Sequence, residues 1–262
     1  MSIEFHHQPG LVAYITIGDP DLATSKKIAL AAIDAGADVL ELGVPFSDPL
    51  ADGPVIQRAS ERAVRNGTSL GDVLALAHSL RKERPHAGLV IFSYLNPILR
   101  MGLQKFAEAA EKAGVDAVLV TDLIVEESEE YRAVLRKHHL QPIFLAAPTS
   151  PDDRLARIAE VSEGFIYAIS RVGITGTQQE VAGDARDLVG RLRRYSKLPI
   201  ALGFGISNAA HVAAVAEFAD AVVIGSAIVA RIEQSGAQQA PAAVGAFIAG
   251  LRVPVASESA VS

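Results

Sequence analysis

The feature that most constrains the fold is a regular alternation of strand-like and helix-like segments along the chain. Eight short runs rich in β-branched and other apolar residues recur, at 11–17, 37–42, 88–93, 117–121, 142–146, 164–169, 199–202 and 220–224. Helical patterns separate them, as where Leu103, Phe106 and Ala110 recur at spacings of three and four. Eight such units in about 250 residues predict a closed parallel (β/α)8 barrel. The alternative, an open doubly wound sheet, usually has fewer strands.

The same alternation predicts one domain, because no linker interrupts it. Two helical segments, near 54–65 and 70–83, lie between the second and third runs, so one of them is an extra helix. A last helix over 238–251 is predicted to cover the barrel wall. Residues 1–9 and 253–262 show no clear periodicity, and we predict that they are weakly ordered.

Composition narrows the classes of function. The net charge of −6 has no basic cluster to offset it, which argues against a nucleic-acid-binding groove. No apolar run approaches the roughly 18 residues of a membrane-spanning helix, and the N-terminus lacks a signal-peptide pattern. Without cysteine there is no disulfide and no thiolate chemistry. These features predict a soluble, cytoplasmic protein that acts on a small molecule.

A short internal repeat singles out one carboxylate. Three segments read as a helix end followed by an Asp and a strand: 35–41, 113–119 and 218–223. The third residue after that Asp is Glu41 in the first copy, but Leu119 in the second and Val223 in the third. A charge that replaces a core residue is costly unless it is paired or has a function. We favour a catalytic role for Glu41 over a buried ion pair across the barrel.

Glu41 also begins a rigid acidic loop, Glu41-Leu-Gly-Val-Pro-Phe-Ser-Asp-Pro-Leu-Ala-Asp52-Gly-Pro54, in which prolines fix φ at three positions. In an apolar barrel mouth Glu41 is expected to have a raised pKa, which suits proton transfer near neutral pH. Asp52 would fold back over the mouth and accept a hydrogen bond from a substrate; the alternative is a plain Asp-Gly turn. Asp48 is more typical of a turn, although exposure there would suit a protein contact.

Two glycine-containing turns predict a phosphate site. Gly203-Phe-Gly205-Ile-Ser207 follows the seventh strand-like run and Gly225-Ser226-Ala227 follows the eighth, the positions where such barrels often bind phosphate. The glycines permit close approach of the backbone, and the N–H groups of the following helix point at the barrel mouth. Each turn alone is a weak signal, but their joint position favours a phosphate ligand.

The remaining candidate features are less specific. The aromatic residues in or just after the strand-like runs either line an aromatic-binding pocket or pack the barrel; they are Tyr14, Phe92, Tyr94, Tyr167 and Phe204. The segment 171–185, with three glycines, is either a lid or a flexible surface loop. The seven histidines show no metal-ligand spacing, so no metal site is predicted, and His6 and His7 are expected to be solvated.

Together, the quoted motifs resemble one known family. The acidic loop from Glu41 to Pro54 resembles the signature of the tryptophan synthase α subunit almost letter for letter. The segments 14–20, 170–176, 203–207 and 225–229 are similar to its other motifs. The resemblance implies a single TIM barrel that cleaves indole-3-glycerol phosphate into indole and glyceraldehyde 3-phosphate in tryptophan biosynthesis, a carbon–carbon lyase reaction.

Carried over by position, the resemblance implies roles for individual residues. Glu41 would protonate indole C3 and help to remove the glycerol hydroxyl proton, while Asp52 would hold the indole N–H. Thr175 would meet Asp52 when a lid closes, and Asp48 would lie near a partner contact. The phosphate would be bound by Gly176, Gly205, Gly225 and Ser226. The indole would be surrounded by Tyr14, Phe92, Thr121, Tyr167 and Phe204.

The resemblance also implies a partner. No cofactor is expected in this chain; a β subunit would carry pyridoxal phosphate, receive indole through a tunnel and form an α-β-β-α complex. Two departures from the family pattern concern docking: about ten residues precede the first strand-like run, and Ile124 stands where the family commonly has proline. These departures leave two alternatives open: a lyase that acts without a β subunit, and a subunit that mainly regulates a β partner. A different phosphate-binding barrel, such as an isomerase or aldolase, is the remaining alternative.

Overall fold

The strands of the protein form a closed parallel barrel, as seen in a computed structural model that describes residues 3–169, 178–203 and 205–252. Within these ranges the strands are β1 (Gly10–Thr16), β2 (Val39–Gly43), β3 (Gly88–Ser93), β4 (Ala117–Val120), β5 (Gln141–Ile143), β6 (Leu145–Ala146), β7 (Ile166–Ile169), β8 (Ile200–Gly203) and β9 (Ala221–Ile224). Neighbours pair in the order β5-β4-β3-β2-β1-β9-β8-β7-β6.

The barrel closes through the two short strands β5 and β6. Only Phe144 separates them, and its carbonyl accepts a hydrogen bond of 3.2 Å from the N–H of Tyr167 in β7. β5 pairs with β4 and β6 pairs with β7, so the two are halves of one barrel strand. The eight predicted strand-like runs therefore all become barrel strands, and the predicted (β/α)8 fold is confirmed.

The helices cover the outside of the barrel. The α-helices in the described ranges are α1 (Leu22–Asp34), α2 (Pro54–Arg65), α3 (Leu70–Glu83), α4 (Leu95–Met101), α5 (Leu103–Ala113), α6 (Glu129–Lys137), α7 (Asp152–Val161), α8 (Gln178–Leu192), α9 (Ala209–Ala216) and α10 (Ser226–Leu251), and a short 3-10 helix spans Val125–Glu127. α2 and α3 have the predicted bounds. α10 is kinked at Gly236, where φ is 67°, and the part after the kink is the predicted covering helix. In the described part of the chain no helix is both long and apolar enough to cross a membrane.

One helix was not predicted. α4 begins one residue after β3, and its Pro97 lies in the first turn, where the missing N–H breaks no helical hydrogen bond. Because the segment is short and contains a proline, its sequence shows no clear helical pattern. α8 is a second difference: it begins at Gln178, so the second half of the predicted loop 171–185 is helical.

Side chains alternate between the barrel interior and the layer between the strands and helices. In β2, Val39 belongs to the interior cluster, whereas Leu40 and Leu42 belong to the outer layer. Glu41 is in phase with Val39 along the strand, so its side chain faces the interior. The alternation places the one carboxylate of β2 inside the barrel.

The Asp of the internal repeat has a structural role at the N-terminal end of the barrel. Asp38, Asp116 and Asp220 each accept a hydrogen bond from an N–H near the start of a neighbouring strand, at 2.7 or 2.8 Å. The donors are Leu11, Leu89 and Ile200. Each carboxylate also pairs with an arginine: Arg252, Arg81 and Arg193, respectively. The repeat therefore satisfies backbone groups that would otherwise be unpaired.

Residues 3–9, for which weak order was predicted, contact the N-terminal end of the barrel. Ile3 is buried, and the ring centroid of Phe5 lies 5.9 Å from that of Phe165 in the barrel interior. His7, expected to be solvated, is half-exposed and lies 2.7 Å from a carboxylate oxygen of Asp38. Isolated apolar residues at positions 3 and 5 form no periodic pattern, which is why the sequence did not indicate this packing. The segment covers the N-terminal end of the barrel.

Candidate active site

The candidate active site is a cavity of about 460 Å³ at the C-terminal ends of the strands. The ends of β7, β8 and β9 line one side, and the acidic loop and the start of α2 line the other. Tyr167 from the predicted indole pocket meets Gly205, Gly225 and Ser226 from the predicted phosphate site here. The structure thus brings two separately predicted groups of residues to one cavity.

Glu41 does not line this cavity, but it lies close to Tyr167, which does. Glu41 is fully buried in β2, and neither carboxylate oxygen has a hydrogen-bond partner among the described residues. Burial disfavours the charged form and raises the pKa of Glu41 from its ordinary value of 4.5 to about 8. The alternative of a buried ion pair has no support in the described ranges, since no cation contacts the carboxylate there. A buried, unpaired acid with a pKa near neutrality is suited to proton transfer.

Aromatic residues from neighbouring strands surround Glu41. Tyr14 is paired in register with Glu41, and its ring centroid lies 5.0 Å from that of Phe92 in an edge-on arrangement. Burial raises the pKa of Tyr14 above its ordinary value, and the carboxylates of Asp52 and Glu41 raise it further. This electrostatic effect shows that Tyr14 lies near both predicted catalytic acids.

The position of Tyr14 depends on Gly43, two residues after Glu41. A Cβ atom at Gly43 would lie 2.4 Å from the Tyr14 hydroxyl oxygen, much closer than real contacts allow. The hydroxyl of Thr16 donates a hydrogen bond of 3.3 Å to the same oxygen. In the Glu-Leu-Gly motif, Glu41 therefore places a carboxylate inside the barrel, and Gly43 leaves room for the Tyr14 side chain.

Asp52 is held by a tyrosine that sequence reasoning placed only among possible pocket aromatics. It is half-buried, and the Tyr94 hydroxyl donates a hydrogen bond of 3.0 Å to its Oδ2. Burial raises the pKa of Asp52 from 3.8 to about 6, and the hydrogen bond from Tyr94 opposes this rise. A turn does form here, since the Asp52 N–H donates to the Pro49 carbonyl at 3.1 Å. The turn holds the backbone while the side chain bonds to Tyr94.

The remaining predicted indole-pocket residues in the described ranges lie at strand ends. Burial raises the pKa of Tyr167 well above its ordinary value, with further increases from Glu41, Tyr14 and Asp52. Because Tyr167 also lines the cavity, it connects the cavity with the buried carboxylate of Glu41. Thr121 directly follows β4, is half-buried and donates to the Ser93 carbonyl at 3.4 Å.

The predicted phosphate residues lie at two backbone features suited to an anion. Gly225 precedes the first turn of α10, and no side chain caps that helix end. Uncapped N–H groups and the helix dipole favour a negatively charged ligand. Gly205 has a φ of 59°, in the left-handed region that glycine adopts readily. Ser226 is exposed at the cavity and adds a hydroxyl.

Of the predicted site residues in the described ranges, four line the cavity: Tyr167, Gly205, Gly225 and Ser226. The others do not belong to the lining: Glu41, Asp48, Asp52, Tyr14, Phe92 and Thr121. Asp48 is exposed on the outer side of the acidic loop. Thr175, Gly176 and Phe204 lie outside the described residues, and their roles stay predictions. Within residues 3–169, 178–203 and 205–252, no group of three or more His, Asp or Glu side chains is placed to hold a metal ion.

Comparison with known proteins places the chain in a family. The family model described as tryptophan synthase alpha chain matches residues 2–250. The tryptophan synthase alpha chain of Laribacter hongkongensis is 48% identical over 242 residues, which cover 92% of this chain and 91% of the relative. A chain of tryptophan synthase from M. tuberculosis superimposes with a TM-score of 0.83 at 36% identity, covering 94% and 93% of the two chains.

A second solved structure also matches this chain over most of its length. A chain of the tryptophan synthase α2β2 complex from the hyperthermophile Pyrococcus furiosus has a TM-score of 0.85 at 36% identity, and the match covers 93% of this chain and 98% of that one. The family model thus spans nearly the whole chain, and the relatives match it over most of their length in both sequence and fold. The chain belongs to the tryptophan synthase alpha chain family.

Proposed function

We propose that this chain cleaves indole-3-glycerol phosphate to indole and glyceraldehyde 3-phosphate at the described cavity, as the α subunit of tryptophan synthase. The observation that carries the proposal is that two carboxylates with raised pKa values, Glu41 and Asp52, lie close to the same two tyrosines, Tyr14 and Tyr167, the second of which lines the cavity. Family membership supports the reaction class, a lyase. The roles of individual residues follow from geometry and charge.

In the first step Glu41 acts as an acid. Its protonated carboxyl group gives a proton to indole C3, and the ring nitrogen takes on positive charge. Asp52, ionised and held between Ala51 and Gly53, which line the cavity, accepts a hydrogen bond from the ring N–H and stabilises that charge. The two acids need opposite protonation states for this step.

In the second step Glu41 acts as a base. Its carboxylate removes the proton from the glycerol hydroxyl next to the bond that breaks, and a carbonyl group forms there. The carbon–carbon bond to C3 breaks, and its electron pair restores the aromatic indole and neutralises the ring nitrogen. Glu41 ends the cycle protonated, so the reaction needs no other acid or base.

The pKa values predict a pH window for the reaction. Glu41 stays protonated below about pH 8, and Asp52 is ionised above about pH 6. The productive combination therefore dominates between these values, and kcat/KM should fall on both sides of the window.

The phosphate of the substrate would bind at the other side of the cavity. Gly205, Gly225 and Ser226 offer backbone N–H groups and a hydroxyl, and the N-terminus of α10 attracts the anion. Gly176 completes the predicted set, and Thr175 stays the predicted lid contact of Asp52. The indole pocket in this proposal is formed by the aromatic residues Tyr14, Phe92, Tyr167 and Phe204, together with Thr121.

The test is indole release from indole-3-glycerol phosphate by the purified chain, with and without a tryptophan synthase β subunit. We expect slow release alone and faster release with the partner. Equal rates would favour a stand-alone lyase. No release in either case, together with failure to bind indole-3-propanol phosphate, would favour another phosphate-binding barrel. The pyridoxal phosphate that acts on indole belongs to the β subunit in this scheme, and the cytoplasmic location stays a prediction that cell fractionation would test.

The partner surface is proposed on the outer side of the acidic loop. Asp48 and Leu50 line a groove of about 560 Å³ between this loop and α2. Leu50 is 82% exposed, and Ile124 after β4 is 47% exposed. Exposed apolar side chains around a groove are typical of protein contacts. The match to a chain of an α2β2 complex supports a β subunit as the occupant.

We expect Leu50→Asp to weaken binding of the β subunit by about tenfold or more, because docking would bury an unpaired charge. Titration calorimetry with the β subunit measures the change. The rate of the free chain should stay the same, since Leu50 does not line the active-site cavity. Tyr195→Asp is the matched control: this side chain is 41% exposed but follows α8 at the opposite end of the barrel. Unchanged affinity in Leu50→Asp would contradict the proposed surface.

A further inference from the structure

Tyr94 connects the barrel to the acidic loop. It directly follows β3 and precedes the first residue of α4, and only 4% of it is exposed. Its ring centroid lies 5.1 Å from that of Phe46 in the acidic loop, with the two planes tilted by 31°. The ring is therefore fixed by packing, and its hydroxyl is held in a defined place beside Asp52.

The Tyr94 hydroxyl makes two hydrogen bonds to the loop. It accepts one of 2.9 Å from the Ala51 N–H and donates one of 3.0 Å to Asp52 Oδ2. The N–H of Ala51 can only donate, so the single phenolic proton is free to point at the carboxylate. A hydrogen bond to an ionised carboxylate is stronger than one between neutral groups.

The other attachments of the loop do not reach the Asp52 carboxylate. The Gln57 side-chain amide donates to the Asp52 carbonyl at 2.9 Å, and the Phe46 N–H donates to the Ser60 hydroxyl at 2.8 Å. Both hold the backbone of the loop against α2. Among residues 3–169, 178–203 and 205–252, Tyr94 supplies the hydrogen bond to the carboxylate itself.

We propose that Tyr94 is a positioning residue of the lyase, which keeps Asp52 oriented toward the indole site and favours its ionised form. The proposal rests on the proposed function for its catalytic consequence. It does not require Tyr94 to touch the substrate, because Tyr94 acts through Asp52. Its geometric basis is the pair of hydrogen bonds that one hydroxyl makes to two successive loop residues.

The hydrogen bond from Tyr94 is the interaction that lowers the pKa of Asp52. The titratable groups that interact with Asp52 are Tyr94 after β3, Tyr14 in β1 and Tyr167 in β7, and Glu41 lies beside the last two. No cation in the described ranges lowers the pKa of Asp52. Burial raises that pKa, and the hydrogen bond from Tyr94 is the opposing effect. Without the hydroxyl, Asp52 should take up its proton at a higher pH.

The first test is a titration of Asp52 by carbon NMR in the full chain without substrate, with Asp52→Asn used to assign the signal. In Tyr94→Phe the ring packing stays and only the hydroxyl is lost, so we expect the Asp52 pKa to rise by about one unit. Tyr131→Phe is the matched control. Tyr131 is also buried, and its hydroxyl donates to the Val118 carbonyl at 3.3 Å, away from the site.

The second test is the pH dependence of kcat/KM for indole release. Tyr94→Phe should shift the acid limb upward by the same amount and lower the rate about fivefold at the acid edge of the window and about tenfold well below it, while Tyr131→Phe should match the wild type. An Asp52 that titrates at its wild-type pH in Tyr94→Phe would overturn the proposal, whatever happens to the rate. If the wild type released no indole, the proposed function would fail, and the NMR titration would still decide the role of Tyr94.

Discussion

Glu41→Gln should lower indole release by about 10²- to 10⁴-fold, the usual contribution of a positioned acid or base. The substitution keeps the shape of the side chain but removes the proton that goes to C3 and the base that accepts the hydroxyl proton. Because both steps need the carboxyl group, the loss should appear in kcat, with little change in affinity for indole-3-propanol phosphate. Steady-state assays with the β subunit present measure it.

The same substitution should change stability in a pH-dependent way. The pKa of Glu41 is about 8 in the folded chain and near its ordinary value of 4.5 in the unfolded chain. Between these values the folded state keeps a proton that the unfolded state has released, so the free energy of unfolding falls as pH rises. Glu41→Gln removes this dependence, with a gain on the order of 4 kcal/mol at most at pH 8 relative to pH 5. Urea unfolding at the two pH values measures it.

Glu160→Gln provides the matched control, because Glu160 is exposed on α7 and undergoes the same chemical change. It should leave both the rate and the pH dependence of stability unaltered. If Glu41→Gln retained more than about a tenth of the wild-type rate, well above the range for a lost acid–base group, the catalytic assignment would be wrong. In that case a mainly regulatory role for the chain would become the better hypothesis.

Asp52→Asn should reduce kcat by about 10²- to 10³-fold, as expected when a group that stabilises transition-state charge is removed. The amide still fits beside Tyr94 but carries no negative charge to balance the ring nitrogen. Since the ring is neutral before reaction, binding of indole-3-propanol phosphate should weaken much less than the rate falls.

The pH profile separates this role from simple misfolding. In the wild type the acid limb reflects the Asp52 pKa of about 6, and the alkaline limb reflects Glu41. Asp52→Asn should lose the acid limb and keep the alkaline one. Asp187→Asn, an exposed change on α8, should keep both limbs. Persistence of the acid limb in Asp52→Asn would assign it to another group.

The two acids were recognised from the sequence for different reasons. Glu41 conflicts with the apolar alternation of its strand, and this conflict can be seen without any homologue. Asp52 lies in a loop with no periodicity, so the sequence was equally consistent with a substrate-binding residue and with a plain Asp-Gly turn. Its proposed catalytic role depended on the resemblance of the loop to the family signature. The contact that holds it joins residues 42 positions apart, and no local pattern reports such a pair.

The packing of the N-terminal segment likewise could not be predicted from local sequence patterns. Ile3 and Phe5 are two isolated apolar residues, which is too few to reveal a helix or a strand. They are buried because the open end of the barrel accepts them, and that surface forms from strands distant in the sequence. Packing of this kind is decided by the shape of the folded barrel.

What the sequence by itself determined is the barrel and the inward position of Glu41. Both follow from local periodicity, since strand alternation and helix spacing are properties of short segments. Only the tertiary structure decided that Glu41 has no hydrogen-bond partner among the described residues, that Tyr94 bonds to Asp52 and that the glycine turns share one cavity with Tyr167. The reason is physical: desolvation and hydrogen bonding depend on which groups the fold brings together, and these groups come from strands and loops far apart in the chain.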